Sequence, residues 1–195
     1  MTPFTFREIN ISDARLILNW RRKPRITRFQ NTDMDDDIDA QTKWLMSCFS
    51  KTHYYHWIIE IQNNPVGLIN LADFDYGNLV TSWGFYIGEE ERLGFGGFIP
   101  PFLYNYLFFD LELEKVTAEV FSMNDSVISL HKLHGYTFTP NLNRKILKND
   151  EQINLIAMEL TREIWTEKVR FHKYRADFPM QYWTKRPLIS KTYTE

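Results

Sequence analysis

The stretch Ser82-Trp-Gly-Phe-Tyr-Ile-Gly-Glu-Glu-Glu-Arg-Leu-Gly-Phe-Gly-Gly97 decides the fold, because it joins an apolar strand pattern to a glycine-rich segment and then to an apolar helix pattern. The unpaired N–H groups at a helix start carry partial positive charge, and glycines let the backbone approach a phosphate closely. Arg92 adds a cation that can pair with an anion. The stretch therefore predicts an anion site at residues 92–97, between a strand and a helix.

This glycine pattern differs from the two common nucleotide-binding loops. No Gly-Lys-Ser/Thr follows, which excludes a P-loop, and Ile99 stands where the dinucleotide fingerprint needs a third glycine. Pro100 and Pro101 fall within the first helical turn, where a missing N–H group costs little. By itself, the segment is also consistent with a tight strand-to-helix turn that binds nothing.

The periodicity of apolar residues predicts an α/β protein. Helices are predicted over residues 9–20, 40–49, 98–113, 125–134 and 163–174. Strands are predicted over residues 55–62, 66–73, 79–87, 115–121 and 153–160, with a hairpin turn at Asn63-Asn-Pro65. This order predicts a mixed, mostly antiparallel sheet flanked by helices, in one domain over residues 1–178. The sequence predicts no structure for the tail, residues 179–195.

Composition is that of an ordinary globular protein. The 195 residues are 44% hydrophobic and 25% charged, and the net charge of −2 gives no electrostatic signature of nucleic-acid binding. The single cysteine, Cys48, lies in an apolar run, which predicts a buried, inert thiol in a reducing compartment. No signal peptide is visible, and the most hydrophobic stretch, residues 98–113, is shorter than the about 20 residues of a membrane span. We therefore expect a cytoplasmic protein that binds neither membrane nor nucleic acid.

Four segments resemble, in order, motifs of the GNAT superfamily of N-acetyltransferases. They are Leu18-Asn-Trp-Arg-Arg-Lys-Pro24; Gly84-Phe-Tyr-Ile87 with Arg92-Leu-Gly-Phe-Gly96; residues 115–124 with Ser129-Leu-His-Lys-Leu-His-Gly-Tyr136; and Met158-Glu-Leu-Thr-Arg-Glu-Ile-Trp165. The resemblance covers nearly the whole chain. It implies the GNAT fold and an enzyme that transfers an acetyl group from acetyl-CoA directly to a primary amine.

Within the superfamily, the motifs are most similar to those of enzymes that acetylate the 4-amino group of a nucleotide-linked amino sugar. Such enzymes act in pseudaminic-acid and related surface-polysaccharide synthesis, which implies a UDP-amino sugar as the acceptor. The N-terminal acetyltransferases of ribosomal proteins are the alternative within the enzyme class. A catalytically inactive module that binds acyl-CoA is the alternative from another class.

The resemblance also implies which residues hold the cofactor. The strand at residues 84–87 would offer backbone N–H groups to the pantetheine arm, and residues 92–97 would bind the pyrophosphate. The implied cofactor-binding residues are Phe85, Tyr86, Ile87, Arg92, Leu93, Gly94, Phe95, Gly96, Gly97, Asn124 and Lys132. Because Glu91 occupies the usual basic position of the family and Arg92 stands one place later, we expect backbone N–H groups to dominate the contact.

Many family members carry, at position 131, a tyrosine that protonates the leaving thiolate, and this chain has His131 instead. An imidazole with an ordinary pKa near 6.5 can donate or accept a proton near neutrality, so His131 is the candidate acid and Tyr86 the second candidate. A packed or surface histidine is the alternative. The amine must also lose a proton, and the sequence does not choose between Asp73, Asp75 and Glu60 for this role.

Trp20, Arg21, Arg25 and Phe29 form a basic, aromatic stretch that is suited to pairing with a diphosphate and stacking on a base. Solvated arginines at a helix end are the alternative. The acidic run at residues 33–39 could instead attract a cationic substrate such as a polyamine, although acidic residues also favour helix N-termini and charge runs are usually solvated.

Two other patterns carry less functional information. His53 and His56 have no third ligand at a usable spacing, so we expect no metal site. A basic, aromatic stretch near the C-terminus could contact a second copy in a homodimer, the CoA phosphates or another partner, and its cations are Lys168, Arg170, Lys173, Arg175, Lys185 and Arg186.

Overall fold

The computed structural model describes residues 4–180, which form an eight-stranded sheet in the order β1-β2-β3-β4-β5-β8-β6, with β7 also pairing with β8. The strands are β1 (Phe4–Glu8), β2 (Tyr55–Ile61), β3 (Asn64–Asp75), β4 (Val80–Ile87), β5 (Lys115–Phe121), β6 (Thr137–Phe138), β7 (Arg144–Lys148) and β8 (Glu151–Thr161). Strands β4 and β5 are parallel, and the other pairs in this part of the chain are antiparallel. The predicted mixed, mostly antiparallel sheet is confirmed.

Helices cover both faces of this sheet. They are α1 (Ala14–Arg21), α2 (Pro24–Thr27), α3 (Ile38–Ser50), α4 (Pro100–Asn105), α5 (Asp125–His134) and α6 (Arg162–Thr166). Because alternate residues of a strand point to opposite faces, Ile58 packs with α1 and α3, whereas its neighbours Trp57 and Ile59 pack with α4, α5 and α6. Within residues 4–180, no helix is long and apolar enough to span a bilayer.

The predicted helix over residues 9–20 is wrong in its first third. A 3₁₀ turn at Ile11–Asp13 precedes α1, which begins only at Ala14, and residues 4–8, for which no element was predicted, form the edge strand β1. The strand forms because Phe4 and Phe6 alternate into the core while the backbone pairs with β2. Asp13 then ends the extended chain, since its Oδ2 accepts the Asn10 N–H at 2.8 Å.

The predicted helix over residues 98–113 is also wrong as a single element. Helix α4 has six residues, and it is preceded by 3₁₀ turns over Glu90–Phe98 and followed by a π-helical turn over Tyr106–Asp110. Pro100 and Pro101 lack the N–H groups that would continue an α-helix back into the glycine segment. The predicted glycine loop is therefore a series of 3₁₀ turns rather than an open loop.

The predicted C-terminal helix over residues 163–174 ends early. Helix α6 stops at Thr166, and a 3₁₀ turn follows at Val169–Phe171. After the break, the buried side chain of Asn105 holds the chain, because its Nδ2 donates to the carbonyls of Phe171 (2.9 Å) and Tyr174 (2.6 Å). Lys185 and Arg186 of the predicted basic stretch lie outside the described residues.

Two hairpin turns require left-handed backbone. The β2–β3 turn is formed by Gln62 (φ 53°) and Asn63 (φ 62°), one residue earlier than predicted. The turn between β7 and β8, two strands that pair along their length, is formed by Asn149 (φ 50°) and Asp150 (φ 63°). Asparagine and aspartate tolerate positive φ better than most residues, which suits them to these two-residue turns.

Candidate active site

Strands β4 and β5 pair at only three positions and then separate. The last pair is Ser82 with Thr117. Beyond it, residues 82–85 of β4 and 117–121 of β5 line a cleft of about 770 Å³ in the middle of the sheet. The facing strand edges form no ladder with each other there, so their backbone polar groups are available to a bound molecule.

The two faces of the sheet supply different walls to this cleft. On the α5 face, the wall contains Asn124, Val127 and His131. On the α1 face, it contains Arg21 and the segment from Phe29 to Thr32, which follows α2. A molecule in the cleft can therefore be held from both sides of the sheet.

His131 is a buried, neutral histidine in the α5 wall. Its ring stacks on Tyr136 at 4.5 Å and lies 5.8 Å from the ring of Trp83. Burial lowers the pKa of His131 to about 4, so the imidazole is uncharged at neutral pH. Its Nδ1 is buried without a hydrogen-bond partner among the described residues.

Tyr86 lies on the other face of β4 and does not line the cleft. Its ring packs edge-on against Trp20 at 6.3 Å, in the core beneath α1 and α3. Its hydroxyl is buried without a partner among the described residues, and burial raises the pKa of this phenol well above its usual value. These surroundings favour a packing role over proton transfer.

The glycine segment lies between β4 and α5, and none of residues 92–97 lines the cleft. A Cβ added at Gly96 would lie 3.9 Å from Phe85 and Ile87, and one at Gly97 would lie 3.9 Å from Leu130 of α5. At Gly94 it would meet nothing within 4 Å, and none of the three has a left-handed φ. The fold itself therefore does not require glycine at these positions, whereas the close approach of a ligand would.

The other residues of the predicted cofactor set surround this segment. Arg92 and Phe95 are half-buried, Leu93 is exposed, and Ile87 is in the core. Asn124 lines the cleft and caps α5, because its Oδ1 accepts the Val127 N–H at 3.4 Å. Lys132 is exposed, with its Nζ 4.7 Å from the ring centroid of Phe138, and it does not line the cleft.

Two of the four predicted acceptor residues, Arg21 and Phe29, line the cleft. Trp20 is buried, with its Nε1 donating to Glu89 at 2.6 Å. Arg25 donates to the carbonyls at the end of β4, at 2.7 Å for Ile87. Neither Trp20 nor Arg25 lines the cleft, so the structure gives both of them supporting positions.

The three candidate carboxylates have very different surroundings. Asp73 lines the cleft, in a bulge of β3 where its φ is 51°, and accepts the Tyr54 hydroxyl at 3.1 Å. Asp75 instead accepts two backbone N–H groups in the β3–β4 turn. Glu60 pairs with Arg7 at 2.7 Å near the opposite edge of the sheet. Only Asp73 of the three can reach a molecule in the cleft.

Sequence reasoning missed an ion pair in the wall of the cleft. Arg144 of β7 binds both carboxylate oxygens of Glu119 of β5, at 2.5 and 2.6 Å, and both residues line the cleft. No local sequence pattern indicates this ion pair, because its two residues are 25 positions apart and strand β7 was not predicted. Thr117, Thr139 and Leu142 were missed for the same reason.

The acidic run has structural partners. Asp33 lies 2.8 Å from Lys148, and Asp36 pairs with Arg15 (2.7 Å). Asp37 caps α3 by accepting the Ala40 N–H. These contacts indicate that the acidic residues stabilise the fold, and they argue against a role in attracting a cationic substrate.

The remaining candidates for chemistry are buried. Cys48 is a buried thiol, and burial raises its pKa to about 11, which makes it unreactive at neutral pH. His56 is also buried, and burial lowers its pKa to about 4. No group of three or more metal-ligating side chains occurs among residues 4–180.

Residues 6–156 match the family model described as "Acetyltransferase (GNAT) domain", which covers well over half of the chain. The protein therefore belongs to the GNAT family and is an acetyl-CoA-dependent N-acetyltransferase. The site fits this cofactor, since the separated strands offer backbone groups and the glycines leave room for a close approach.

Two kinds of bacterial relative are similar in sequence. The SPbeta prophage-derived uncharacterized N-acetyltransferase YokL of Bacillus subtilis is 27% identical over 124 residues, 62% of this chain and 69% of its own length. The acetyltransferase PseH of Campylobacter jejuni (strain 81-176) is 23% identical over 135 residues, 68% of this chain and 82% of its own length.

Solved structures confirm the fold. The spermidine N-acetyltransferase of Vibrio cholerae, in complex with CoA and spermine, superposes with a TM-score of 0.76. The superposition covers 84% of this chain and 98% of that one, at 18% identity. A dodecameric structure of the same Vibrio enzyme gives a TM-score of 0.70 at 17% identity, covering 85% of this chain and 98% of that one. At this identity, the likeness is evidence for the fold alone.

Proposed function

We propose that this enzyme acetylates the amino group of a nucleotide-linked amino sugar, specifically the 4-amino group of a UDP-sugar in surface-glycan synthesis. The observation that carries the proposal is that Arg21 and Phe29 both line the α1 wall of the cleft. A guanidinium matches a diphosphate in charge and geometry, and an aromatic ring can stack on a base. The similarity to PseH supports the same class of acceptor.

Arg21 is held as a partly buried cation. Its Nη2 donates to the Thr32 carbonyl at 3.1 Å, while its Nε is buried without a partner among the described residues. Burial lowers the pKa of the guanidinium from its usual value, which is a sign of incomplete compensation by neighbouring charges. A phosphate of the acceptor would supply the missing negative charge.

Acetyl-CoA, when bound, supplies an activated acetyl thioester. The backbone of β4 beyond Ser82 would align its pantetheine arm, and residues 92–97 would bind its pyrophosphate through the backbone. Asn124 would contact the arm from the α5 wall. The proposal thus takes the α5 wall as the cofactor side and the α1 wall as the acceptor side.

In this proposal, two side chains handle protons. Asp73, as a carboxylate at the cleft, would accept the proton that the ammonium group of the acceptor must lose. His131 would hold a proton at Nε2 as a neutral donor and stabilise negative charge on sulfur by a hydrogen bond, because its low pKa leaves it uncharged. Tyr86 has no access to the cleft for this purpose.

A polyamine is the rival acceptor suggested by the fold neighbours. The charged side chains among the described lining residues are Arg21, Arg144, Asp73 and Glu119. The two positive and two negative charges balance, and Glu119 is already paired with Arg144. A polycation needs several free carboxylates, whereas only Asp73 is unpaired with a cation here. The net charge of these side chains therefore gives spermidine no advantage, and Arg21 is the cation that would bind a phosphate of an anionic acceptor.

The experiment is a panel of acceptors with acetyl-CoA: a UDP-4-amino sugar, spermidine, and a peptide with a ribosomal-protein N-terminus. The proposal predicts that the UDP-sugar has the highest kcat/KM of the panel. Faster turnover of spermidine or of the peptide would contradict it. Binding of acetyl-CoA without turnover of any amine would favour the inactive binding module.

A further inference from the structure

The ammonium group of Lys148 is buried against the chain segment that forms the α1 wall. Its side chain is only 8% exposed. The Nζ donates to the carbonyls of Thr27 at 2.5 Å and Gln30 at 2.9 Å, and it lies 2.8 Å from Oδ1 of Asp33. An ammonium group has three donors, so all of them are used within this one segment.

The carboxylate of Asp33 is held on both oxygens. Besides Lys148, Oδ1 accepts the Thr27 hydroxyl at 2.9 Å, and Oδ2 accepts Nδ2 of Asn149 at 2.7 Å. These contacts, with Lys148 foremost, lower the pKa of Asp33 to about 2, so the carboxylate stays charged throughout the physiological range. Charge-assisted hydrogen bonds of this kind are stronger than neutral ones.

The β7–β8 hairpin positions the two donors, Lys148 and Asn149, against residues 27–33. Lys148 pairs with Glu151 at the end of the hairpin, and Asn149 and Asp150 form its two-residue turn with positive φ. The turn brings Lys148 and Asn149 to a segment that precedes them by more than a hundred residues in sequence. The hairpin thus connects the far side of the sheet to the α1 wall.

The segment held in this way is a loop whose other contacts include Phe29 against Phe121 at 6.3 Å and the ion pair of Asp36 with Arg15 at 2.7 Å. Residues 28–37 have no regular secondary structure, and Phe29 to Thr32 within it line the cleft. On the cleft side, Arg21 donates to Thr32. Without Lys148, the carbonyls of Thr27 and Gln30 would lose their charged donor, and the wall would gain conformational freedom.

We propose that Lys148 is a positioning residue that holds residues 27–33 as the acceptor wall, and so sets the affinity for the acceptor but not for acetyl-CoA. The proposal rests on the proposed function in taking this wall as the acceptor side. Lys148 does not line the cleft, so it would act through the wall and not by touching the acceptor. A lysine that served stability alone would affect both substrates equally or neither of them.

The test compares Lys148→Met with Lys145→Met, a matched change at an exposed lysine of the same strand. We expect Lys148→Met to raise the KM for the UDP-4-amino sugar about tenfold while kcat and the KM for acetyl-CoA stay within about twofold. Lys145→Met should behave as the wild type, and Lys148→Arg should restore most of the affinity. Hydrogen exchange of the backbone amides of residues 28–33 should be faster in Lys148→Met.

An unchanged KM for the acceptor, or an equal rise in the KM for acetyl-CoA, would overturn the proposal, as would unchanged exchange at residues 28–33. If the wild type acetylates another amine of the panel instead, the proposed function fails, and the same comparison with that amine still decides the role of Lys148. If Lys148→Met does not fold, Asp33→Ala replaces it, with the same expected direction and a smaller effect of about threefold.

Discussion

Ser82 of β4 lies opposite Thr117 of β5 at the last position where these two parallel strands pair. Beyond this point, the sheet opens in its interior, so two strand edges face a cleft instead of each other. Unpaired edges are usually a liability at the periphery of a sheet. Here they lie between walls on opposite faces, and one central opening can receive a different substrate from each face.

The glycines of the 3₁₀ segment provide the first prediction. Gly94→Ala should leave folding intact and raise the free energy of unfolding by about 0.5 kcal/mol, because the backbone is not left-handed and the added methyl group meets open space. The same change should weaken acetyl-CoA binding about tenfold if the cofactor approaches the backbone there. Calorimetric titration and thermal unfolding measure the two effects.

The control for this prediction is Gly77→Ala, in the β3–β4 turn away from the cleft. An added Cβ there lies 3.4 Å from Asp75, in ordinary contact. Its acetyl-CoA affinity should match that of the wild type. Unchanged affinity in Gly94→Ala as well would remove the pyrophosphate from this segment.

Asp73 is expected to accept the proton of the acceptor amine. Asp73→Asn should lower kcat about a hundredfold with a small change in the KM for acetyl-CoA, because general base catalysis contributes at least that factor. Steady-state kinetics with the preferred amine check the prediction. Asp75→Asn is the comparison, and its effect should appear in stability rather than in kcat. A normal kcat in Asp73→Asn would assign the base elsewhere.

His131 is expected to act while uncharged. His131→Phe preserves stacking on Trp83 and Tyr136 but removes the donor, and it should lower kcat about tenfold. Since the pKa of His131 is about 4, the pH profile of kcat between pH 5.5 and 7.5 should have the same shape in both proteins. If the wild-type pH profile showed an ionisation near pH 6.5 that the variant lacked, this would contradict a buried, neutral His131. Unchanged turnover would remove His131 from the mechanism.

His134 is expected to make the fold sensitive to acid. It is fully buried, neither ring nitrogen has a partner among the described residues, and burial lowers its pKa to about 3. The unfolded chain therefore binds this proton at a higher pH than the folded chain. Stability due to the neutral ring is present above about pH 6.5 and is lost as pH falls towards 3.

His134→Leu should remove this loss. Between pH 6 and 4, the free energy of unfolding should fall less steeply than in the wild type, by about 1.4 kcal/mol per pH unit at most. At pH 7.5, the variant should be at least as stable, because an apolar group replaces an unpaired polar one. Urea unfolding at several pH values measures both quantities. Parallel slopes in the two proteins would show that His134 does not titrate on unfolding.

Local sequence patterns, such as apolar periodicity and a helix-ending glycine, predicted most of the fold. Strands β2 to β5 and helix α5 were located to within a few residues, because their apolar periodicity agrees with their burial and because Gly135 ends α5 with a φ of 103°. Strand β1 was missed because residues 4–8 are short and precede a helical pattern. Strand β7 was missed because its outer positions are polar, although Asn149 and Asp150 signal a turn.

The site was predictable where one segment carried the signal. Arg21, Phe29, Asn124 and His131 line the cleft, whereas residues 92–97 do not, and the roles of all these residues stay predictions. Trp20 has the same local chemistry as Phe29 but is buried, which depends on the fit of its ring against Gly88. Glu119 and Arg144, like Lys148 and Asp33, depend on pairing between distant strands and loops, and a single sequence carries no trace of such pairing.

The central claim is that the α1 wall recognises the nucleotide part of the acceptor while the α5 wall holds acetyl-CoA. The most direct test is the kcat/KM of the wild-type enzyme for a UDP-4-amino sugar and for the same amino sugar without UDP. A diphosphate contact with Arg21 and a base stacked on Phe29 predict a preference of about a hundredfold or more for the UDP-linked sugar. Equal kcat/KM values for the two sugars would contradict the account.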